Sequence, residues 1–250
     1  MDLGLKGKIA LVTGATSGVG REIALSLAAE GAGVAVNYRS SSTDAETLVG
    51  EIAAKGGRAK AYRADVAEFA AVKGMVADIV RDFGGINILI NNAGLAQRQR
   101  FIETKPEDWR RQIDVCLYGA IHCCYAVAPH LDAAKNGRIV SVIGDSSRVG
   151  ESGLAIVAAA RAGVIALMKS LAREFGRTGT TANTVSLGLV ETPHDKEWVD
   201  ANREKLIKLY PLRRLGLPGD VAPMVTLLAS PQSGWITGQV LSISGGFSMV

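Results

Sequence analysis

The sequence predicts an α/β fold, a doubly wound, seven-stranded parallel sheet between two layers of helices. Short β-branched or apolar runs alternate with longer segments of helical period, and glycine clusters fall at the junctions. The chain has 250 residues and is 48% apolar, which is enough for a sizeable core. No repeat, low-complexity segment or polar linker divides it, so we expect a single domain over residues 1–250.

The predicted elements follow this alternation from the first strand to the last. Seven apolar runs are predicted strands: Lys8–Thr13, Gly33–Asn37, Ala59–Arg63, Ile86–Asn91, Arg138–Ile143, Thr181–Ser186 and Val240–Ile243. The longer segments are predicted helices, with two more between the last strands: Gly18–Glu30, Thr43–Lys55, Ala67–Phe83, Pro106–Leu131 and Leu154–Gly176.

Charge and cysteine content argue against several classes of protein. The formal charge is +4, and the basic residues are scattered, which does not favour nucleic acid binding. Cys116, Cys123 and Cys124 lack the spacing of a zinc or disulfide framework, so we predict no metal site and a reducing environment. No signal core or apolar run of about 20 residues is present, so we expect a cytoplasmic protein without a membrane partner.

A glycine-rich segment, Thr-Gly-Ala-Thr-Ser-Gly-Val-Gly at residues 13–20, follows the first strand and opens the first helix. Its glycines can bring backbone N–H groups and the helix N-terminus against a pyrophosphate, although a lone glycine triplet can also be an ordinary tight turn. We predict cofactor contacts from the residues of this loop: Gly14, Thr16, Ser17, Gly18, Val19 and Gly20.

The same segment, written TGxxxGxG, resembles the signature of the short-chain dehydrogenase/reductase family. Residues 91–94, Asn-Asn-Ala-Gly, are similar to that family's NNAG motif, and the resemblance extends from residue 13 to the Ser-Gly-Gly at 244–246. It implies a Rossmann-type oxidoreductase that uses a nicotinamide cofactor and forms a homodimer or homotetramer through its two long helices. It also implies further cofactor contacts, from Asp65, Val66, Asn92, Ala93, Gly94, Gly188, Val190 and Thr192.

The end of the second strand favours NADP(H) over NAD(H). An NAD-preferring site places an acidic residue there for the ribose hydroxyls, and here the position holds Tyr38. Arg39 offers a planar cation to a 2′-phosphate, and Ser40 and Ser41 add hydrogen-bond donors. The alternative is that Arg39 is an ordinary solvated residue.

The resemblance also implies four catalytic positions, and this sequence departs from the family at all of them. The family's acid Tyr aligns on Val157, its Lys on Arg161, its Ser on Gly144 and its Asn on Cys116. No tyrosine lies between Tyr125 and Tyr210, so a shifted alignment does not restore the acid. Because a positioned acid contributes ~10²–10⁴-fold, ordinary ketone reduction should be weak. Arg161 can still contact cofactor ribose hydroxyls from the lysine position.

Two residues after the fifth strand are candidate catalytic replacements, Asp145 and Ser146, because ligands bind at the carboxyl ends of parallel strands. Asp145 could act as an acid or base if burial raised its pKa, and Arg148 could hold an anionic substrate. The alternative is a solvated turn in which both residues cap local backbone. His194 opens a substrate lid that we predict at about residues 190–215, and it could face the pocket or solvent.

Three functions remain open from the sequence. The first is an NADP(H)-dependent oxidoreductase, or a lyase or isomerase derived from one, that uses residues outside the usual set. The second is a non-catalytic subunit that pairs with an active paralogue through the two long helices. The third is an NADPH-responsive binding protein, for which the sequence offers no partner-recognition feature. No substrate or reaction direction follows from the sequence.

Overall fold

The computed structural model describes residues 2–193 and 196–250. Its described part contains a seven-stranded, all-parallel sheet in the order β3-β2-β1-β4-β5-β6-β7. The strands are β1 (Ile9–Val12), β2 (Gly33–Tyr38), β3 (Arg58–Arg63), β4 (Ile88–Asn91), β5 (Arg138–Gly144), β6 (Thr181–Leu187) and β7 (Val240–Ile243). The order reverses between β1 and β4, so a crevice opens at the carboxyl ends of these two strands.

Helices cover both faces of the sheet. They are α1 (Gly18–Ala29), α2 (Ser42–Ala54), α3 (Phe69–Phe83), α4 (Pro106–Ile113), α5 (Gly119–Ala134), α6 (Ser146–Val149), α7 (Ala155–Glu174), α8 (Lys196–Leu206) and α9 (Pro218–Leu228). One buried cluster joins α1, α2 and α9 to the sheet, and a second joins α3, α5 and α7 to the opposite face. The predicted three-layer fold is confirmed.

The predicted elements agree with the structure, with differences at their ends. The helix predicted over Pro106–Leu131 is α4 and α5, joined by a π-helical turn at Asp114–Tyr118. Helix α3 begins at Phe69 rather than Ala67, because Asp65 Oδ1 accepts the Ala67 N–H at 3.0 Å and holds a turn before the helix.

Helix α7 has an exposed apolar surface. Four alanines spaced three or four residues apart are exposed along it: Ala155, Ala159, Ala162 and Ala166. By length and composition alone this helix could cross a membrane, which is also true of core helices in soluble proteins. Because small residues allow two helices to approach closely, the exposed alanines are suited to packing against another helix.

Candidate cofactor and active site

The loop between β1 and α1 brings backbone very close to two neighbouring segments. Gly14 and Gly18 have φ of 59° and 51°, a region where side chains are strained. A Cβ on Gly14 would lie 3.0 Å from Ala93 Cα, and a Cβ on Gly18 would lie 3.1 Å from Thr192 Cγ2. The structure thus gathers predicted cofactor residues from three loops around one cleft, at the N-terminus of α1.

Side-chain hydrogen bonds fasten the glycine loop to the segment after β4. Thr13 Oγ1 accepts the N–H groups of Asn92 at 2.9 Å and Ala93 at 3.0 Å. Asn92 Nδ2 donates to the carbonyls of Thr13 and Gly14, each at 3.0 Å. Thr13 was not among the predicted site residues, although its place at the end of β1 is a signal that could have identified it.

A second basic residue lies beside Arg39 at the ends of β2 and β3. The strand register pairs Tyr38 with Arg63, and Arg63 Nε donates to the Arg39 carbonyl at 3.2 Å. Both arginine side chains are exposed, and neither has an ion pair with another described residue. Arg63 was missed from the sequence, but aligning the ends of the two predicted strands would have placed it next to Tyr38.

Asp65 is held by protein groups in the structure. Its Oδ2 accepts from Arg111 Nη2 at 2.8 Å. Desolvation raises the pKa of Asp65, but the hydrogen bonds from Arg111 and Ala67 outweigh it, and the pKa lies below its ordinary value. A contact between Asp65 or Val66 and a cofactor stays a prediction.

The segment after β6 is fixed from behind by Tyr210. The Leu189 N–H donates to Tyr210 Oη at 2.9 Å, and a Cβ on Gly188 would lie 2.9 Å from the tyrosine ring. Val190 forms an isolated parallel bridge with Gly216. Burial raises the pKa of Tyr210, so the phenol stays protonated. From the sequence, Tyr210 had no assigned role.

The position aligned with the family's tyrosine is closed. Val157 is 1% exposed and packs with Cys116 and Ala160. The Cys116 thiol donates to the Leu95 carbonyl at 3.2 Å and accepts the Leu95 N–H at 3.4 Å, which ties the π-helical turn to the segment after β4. Neither residue presents a proton donor to the cleft, and a structural role for Cys116 agrees with these contacts.

Arg161 lies between two glycines. A Cβ on Gly94 would lie 2.7 Å from Arg161 Nη2, and a Cβ on Gly144 would lie 3.3 Å from Nη1. The Ser146 hydroxyl approaches the same point, 3.4 Å from the Gly144 Cβ position. A serine side chain at position 144 would therefore contact the Arg161 guanidinium closely. The hydroxyl of Ser146 lies close to the position that the resemblance assigns to the family's serine.

The Asp145 side chain is hydrogen-bonded to strands β6 and β7 rather than to Arg161 or Ser146. Its Oδ1 accepts from Ser186 Oγ at 2.5 Å and from Ser242 Oγ at 3.1 Å, and the residue is 1% exposed. Arg148 Nη1 donates to Ser242 Oγ at 2.5 Å. Asp145 thus joins the end of β5 to β6 and β7 through the hydroxyls of Ser186 and Ser242, and its proposed catalytic role remains a prediction that these contacts do not support.

The predicted lid is linked to two loops by one arginine. The Arg98 guanidinium lies 4.8 Å from the centroid of the Trp198 ring of α8 and 2.6 Å from Glu151. His194, the candidate at the start of the lid, lies outside the described residues.

Comparison with known proteins agrees with this architecture. The sequence profile of the family described as "Enoyl-(Acyl carrier protein) reductase" matches residues 14–248. The chain is 39% identical over 242 residues to the 3-oxoacyl-[acyl-carrier-protein] reductase FabG of Staphylococcus aureus, covering 97% of this chain and 98% of that protein.

Two further similarities bear on cofactor and assembly. The chain is 38% identical over 250 residues to the (2S)-[(R)-hydroxy(phenyl)methyl]succinyl-CoA dehydrogenase subunit BbsD of Thauera aromatica, covering 99% of both chains. The structure of a blue fluorescent protein from a metagenomic library, in complex with NADPH, superposes with a TM-score of 0.93 at 33% identity, covering 98% of this chain and 100% of that one.

Proposed function

We propose that this chain, which belongs to the short-chain dehydrogenase/reductase family, is an NADP(H)-dependent oxidoreductase that acts without the family's tyrosine acid. The observation that carries the proposal is the close approach of the glycine loop to Ala93 and Thr192, which excludes side chains at Gly14 and Gly18 and is the arrangement that suits a dinucleotide at the N-terminus of α1.

The residues around the cleft fit NADP(H). The glycine loop supplies backbone N–H groups at the N-terminus of α1, where a pyrophosphate is favoured. Arg39 and Arg63 lie together at the ribose end with no carboxylate bound to either side chain among the described residues, which suits a 2′-phosphate. The structural relative in complex with NADPH supports the same cofactor. When bound, NADP(H) supplies or accepts the hydride.

Ser146 and the 188–192 segment position the acceptor in this proposal. The Ser146 hydroxyl donates to the acceptor oxygen beside Gly144, in place of the family's serine. Tyr210 holds Leu189 and thereby the segment that lines the nicotinamide end. Since the Val157 side chain has no ionisable proton to donate, the acceptor oxygen takes its proton from water. Positioning alone supplies up to about 7–11 kcal/mol, so turnover is slower than in a tyrosine-bearing relative but measurable.

The relatives indicate the substrate class. One is named for 3-oxoacyl groups carried on a thioester and the other for a hydroxyacyl-CoA. We therefore place the reaction between a 3-oxoacyl thioester and the corresponding 3-hydroxyacyl thioester.

The test is NADPH binding followed by turnover. Fluorescence titration should give tighter binding of NADPH than of NADH, and S-acetoacetyl-N-acetylcysteamine should then cause a slow loss of NADPH absorbance. Ser146→Ala should lower that rate about tenfold while NADPH affinity changes little, because the hydroxyl contacts only the acceptor. Tight NADPH binding without turnover of 3-oxoacyl thioesters would contradict the redox proposal.

A second candidate is a subunit of a hetero-oligomer. The relative from Thauera aromatica is named as a subunit of a dehydrogenase, and the present chain has an exposed alanine surface on α7 and also exposes Tyr118 and Tyr125. In this alternative the surface pairs with a paralogue that has the full catalytic set. Co-expression with such a paralogue should then yield a stable mixed oligomer, whereas the oxidoreductase proposal expects a homodimer or homotetramer with its own activity.

A further inference from the structure

Arg161 is a partly buried cation that has no protein partner among residues 2–193 and 196–250. No hydrogen bond, ion pair or ring contact ties its guanidinium to another described side chain or carbonyl. The buried Arg138, in contrast, has several hydrogen-bond partners. Its nitrogens donate to the carbonyls of Asn136, Gly137, Gly179 and Ser230. A guanidinium left unpaired in a cleft is a site for a negatively charged ligand.

A second unpaired group lies beside it. Ser146 is 6% exposed, and its hydroxyl forms no hydrogen bond with a described residue. Arg161 Nη1 and Ser146 Oγ lie 3.3 and 3.4 Å from one point, the position that a Cβ on Gly144 would take. Leu187 O is 3.9 Å from that point, and it already accepts the Asp145 N–H at 2.7 Å. The two unpaired donors thus both lie close to Gly144, and a side chain at that position would contact them.

The acidic residues in this region have other partners. Asp145 Oδ1 is bound by Ser186 and Ser242, Glu151 pairs with Arg98, and Asp65 pairs with Arg111. None of these carboxylates has a contact with Arg161 in the described structure. The charge of Arg161 is therefore available to a ligand rather than to a neighbouring side chain.

We infer that Arg161 binds a free carboxylate carried by the acceptor, while Ser146 beside it donates to the carbonyl oxygen that is reduced, so that the substrate is an anionic 3-oxo compound. A planar guanidinium and a carboxylate match as a two-nitrogen, two-oxygen pair, a geometry that a lysine at this position does not provide. Gly144 belongs to the same site, because a side chain there would fill the space between the two donors. This inference rests on the proposed function, since the carboxylate and the reduced carbonyl belong to one molecule.

The kinetic test compares acetoacetate with methyl acetoacetate, which differ in one charge at nearly the same size. The wild-type protein should favour the acid in kcat/KM by about 100-fold, and Arg161→Gln should remove most of that preference. Arg173→Gln is the matched control, since Arg173 is an exposed arginine at the other end of α7. Equal use of the acid and the ester by the wild-type protein overturns the inference while leaving the proposed function intact.

A binding test decides the inference even if turnover is too slow to measure. Isothermal titration calorimetry should detect malonate but not neutral malonamide, and Arg161→Gln and Gly144→Ala should each weaken malonate binding at least about tenfold. Thermal denaturation of each variant verifies folding. Equal binding of malonate and malonamide overturns the inference, and so does an Arg161→Gln variant that loses NADPH affinity but keeps its malonate affinity. If the wild-type protein does not bind NADPH at all, the proposed function is refuted instead.

Discussion

The cofactor side and the catalytic side of the cleft are built in different ways. On the cofactor side, the loops after β1, β2 and β4, contacts are made by backbone and by motif residues such as Thr13 and Asn92. On the catalytic side, from Gly144 to Arg161, the groups that face the cleft are an unpaired hydroxyl and an unpaired guanidinium. In the proposed function, hydride positioning and proton transfer are thus separable properties of this fold, and only the second lacks its usual residues.

The largest effect should come from breaking the cofactor side. Gly14→Val places a side chain at a positive φ, 3.0 Å from the Ala93 backbone, and should weaken NADPH binding by about 100-fold or more. Gly50→Ala is the control, because Gly50 is exposed within α2 with no atom near its Cβ position. It should preserve NADPH affinity and stabilise the protein by about 0.5–1 kcal/mol. Fluorescence titration and urea denaturation measure both outcomes.

Next in size is the effect on the choice of nicotinamide cofactor. Replacing Arg39 and Arg63 together by Ala should reduce the preference for NADPH over NADH by about 10–100-fold, since two cations near the 2′-phosphate are removed. Dissociation constants for both cofactors measure this. Arg177→Ala, a change of an exposed arginine in the turn before the start of β6, should alter neither constant. An unchanged preference in the double variant would place the 2′-phosphate elsewhere.

Restoring the family's acid by one substitution should fail. Val157 is 1% exposed and packed against Cys116, so Val157→Tyr overfills the cluster and should lower the free energy of unfolding by about 1–3 kcal/mol. NADPH oxidation should not rise. Val149→Tyr, on a residue 46% exposed, should change stability by less than about 0.5 kcal/mol. A stable, faster Val157→Tyr enzyme would mean that the cleft still accommodates the usual chemistry.

The smallest expected effect is on the stability of the protein. Arg214 and the Leu217 N–H lower the pKa of Asp220 to about 2 at the start of α9. Because the folded pKa is depressed, this stabilisation is present above about pH 4 and is lost as pH falls through about 2. Asp220→Asn should therefore cost about 1 kcal/mol at neutral pH and little near pH 2. Urea denaturation at both pH values measures the difference.

The sequence predicted the fold and the nicotinamide cofactor correctly, because both depend on local patterns, whereas the individual cofactor contacts stay predictions. Strand runs, glycine clusters and the end of β2 are all readable one segment at a time. It could not predict that Asp145 points toward Ser186 and Ser242 while Ser146 approaches Arg161, since adjacent residues leave the strand in different directions. Arg63 and Tyr210 were missed for the same reason: their partners come from other segments of the chain.

The most direct test of hydride transfer without the tyrosine acid follows the hydride itself. NADPH that carries deuterium at its transferable position is incubated with the protein and an anionic 3-oxo compound, and the product is analysed by mass spectrometry. The account predicts deuterium at the reduced carbon with the wild-type protein and much less with Ser146→Ala. Bound NADPH that transfers no deuterium to this compound or to a neutral 3-oxoacyl thioester would contradict it.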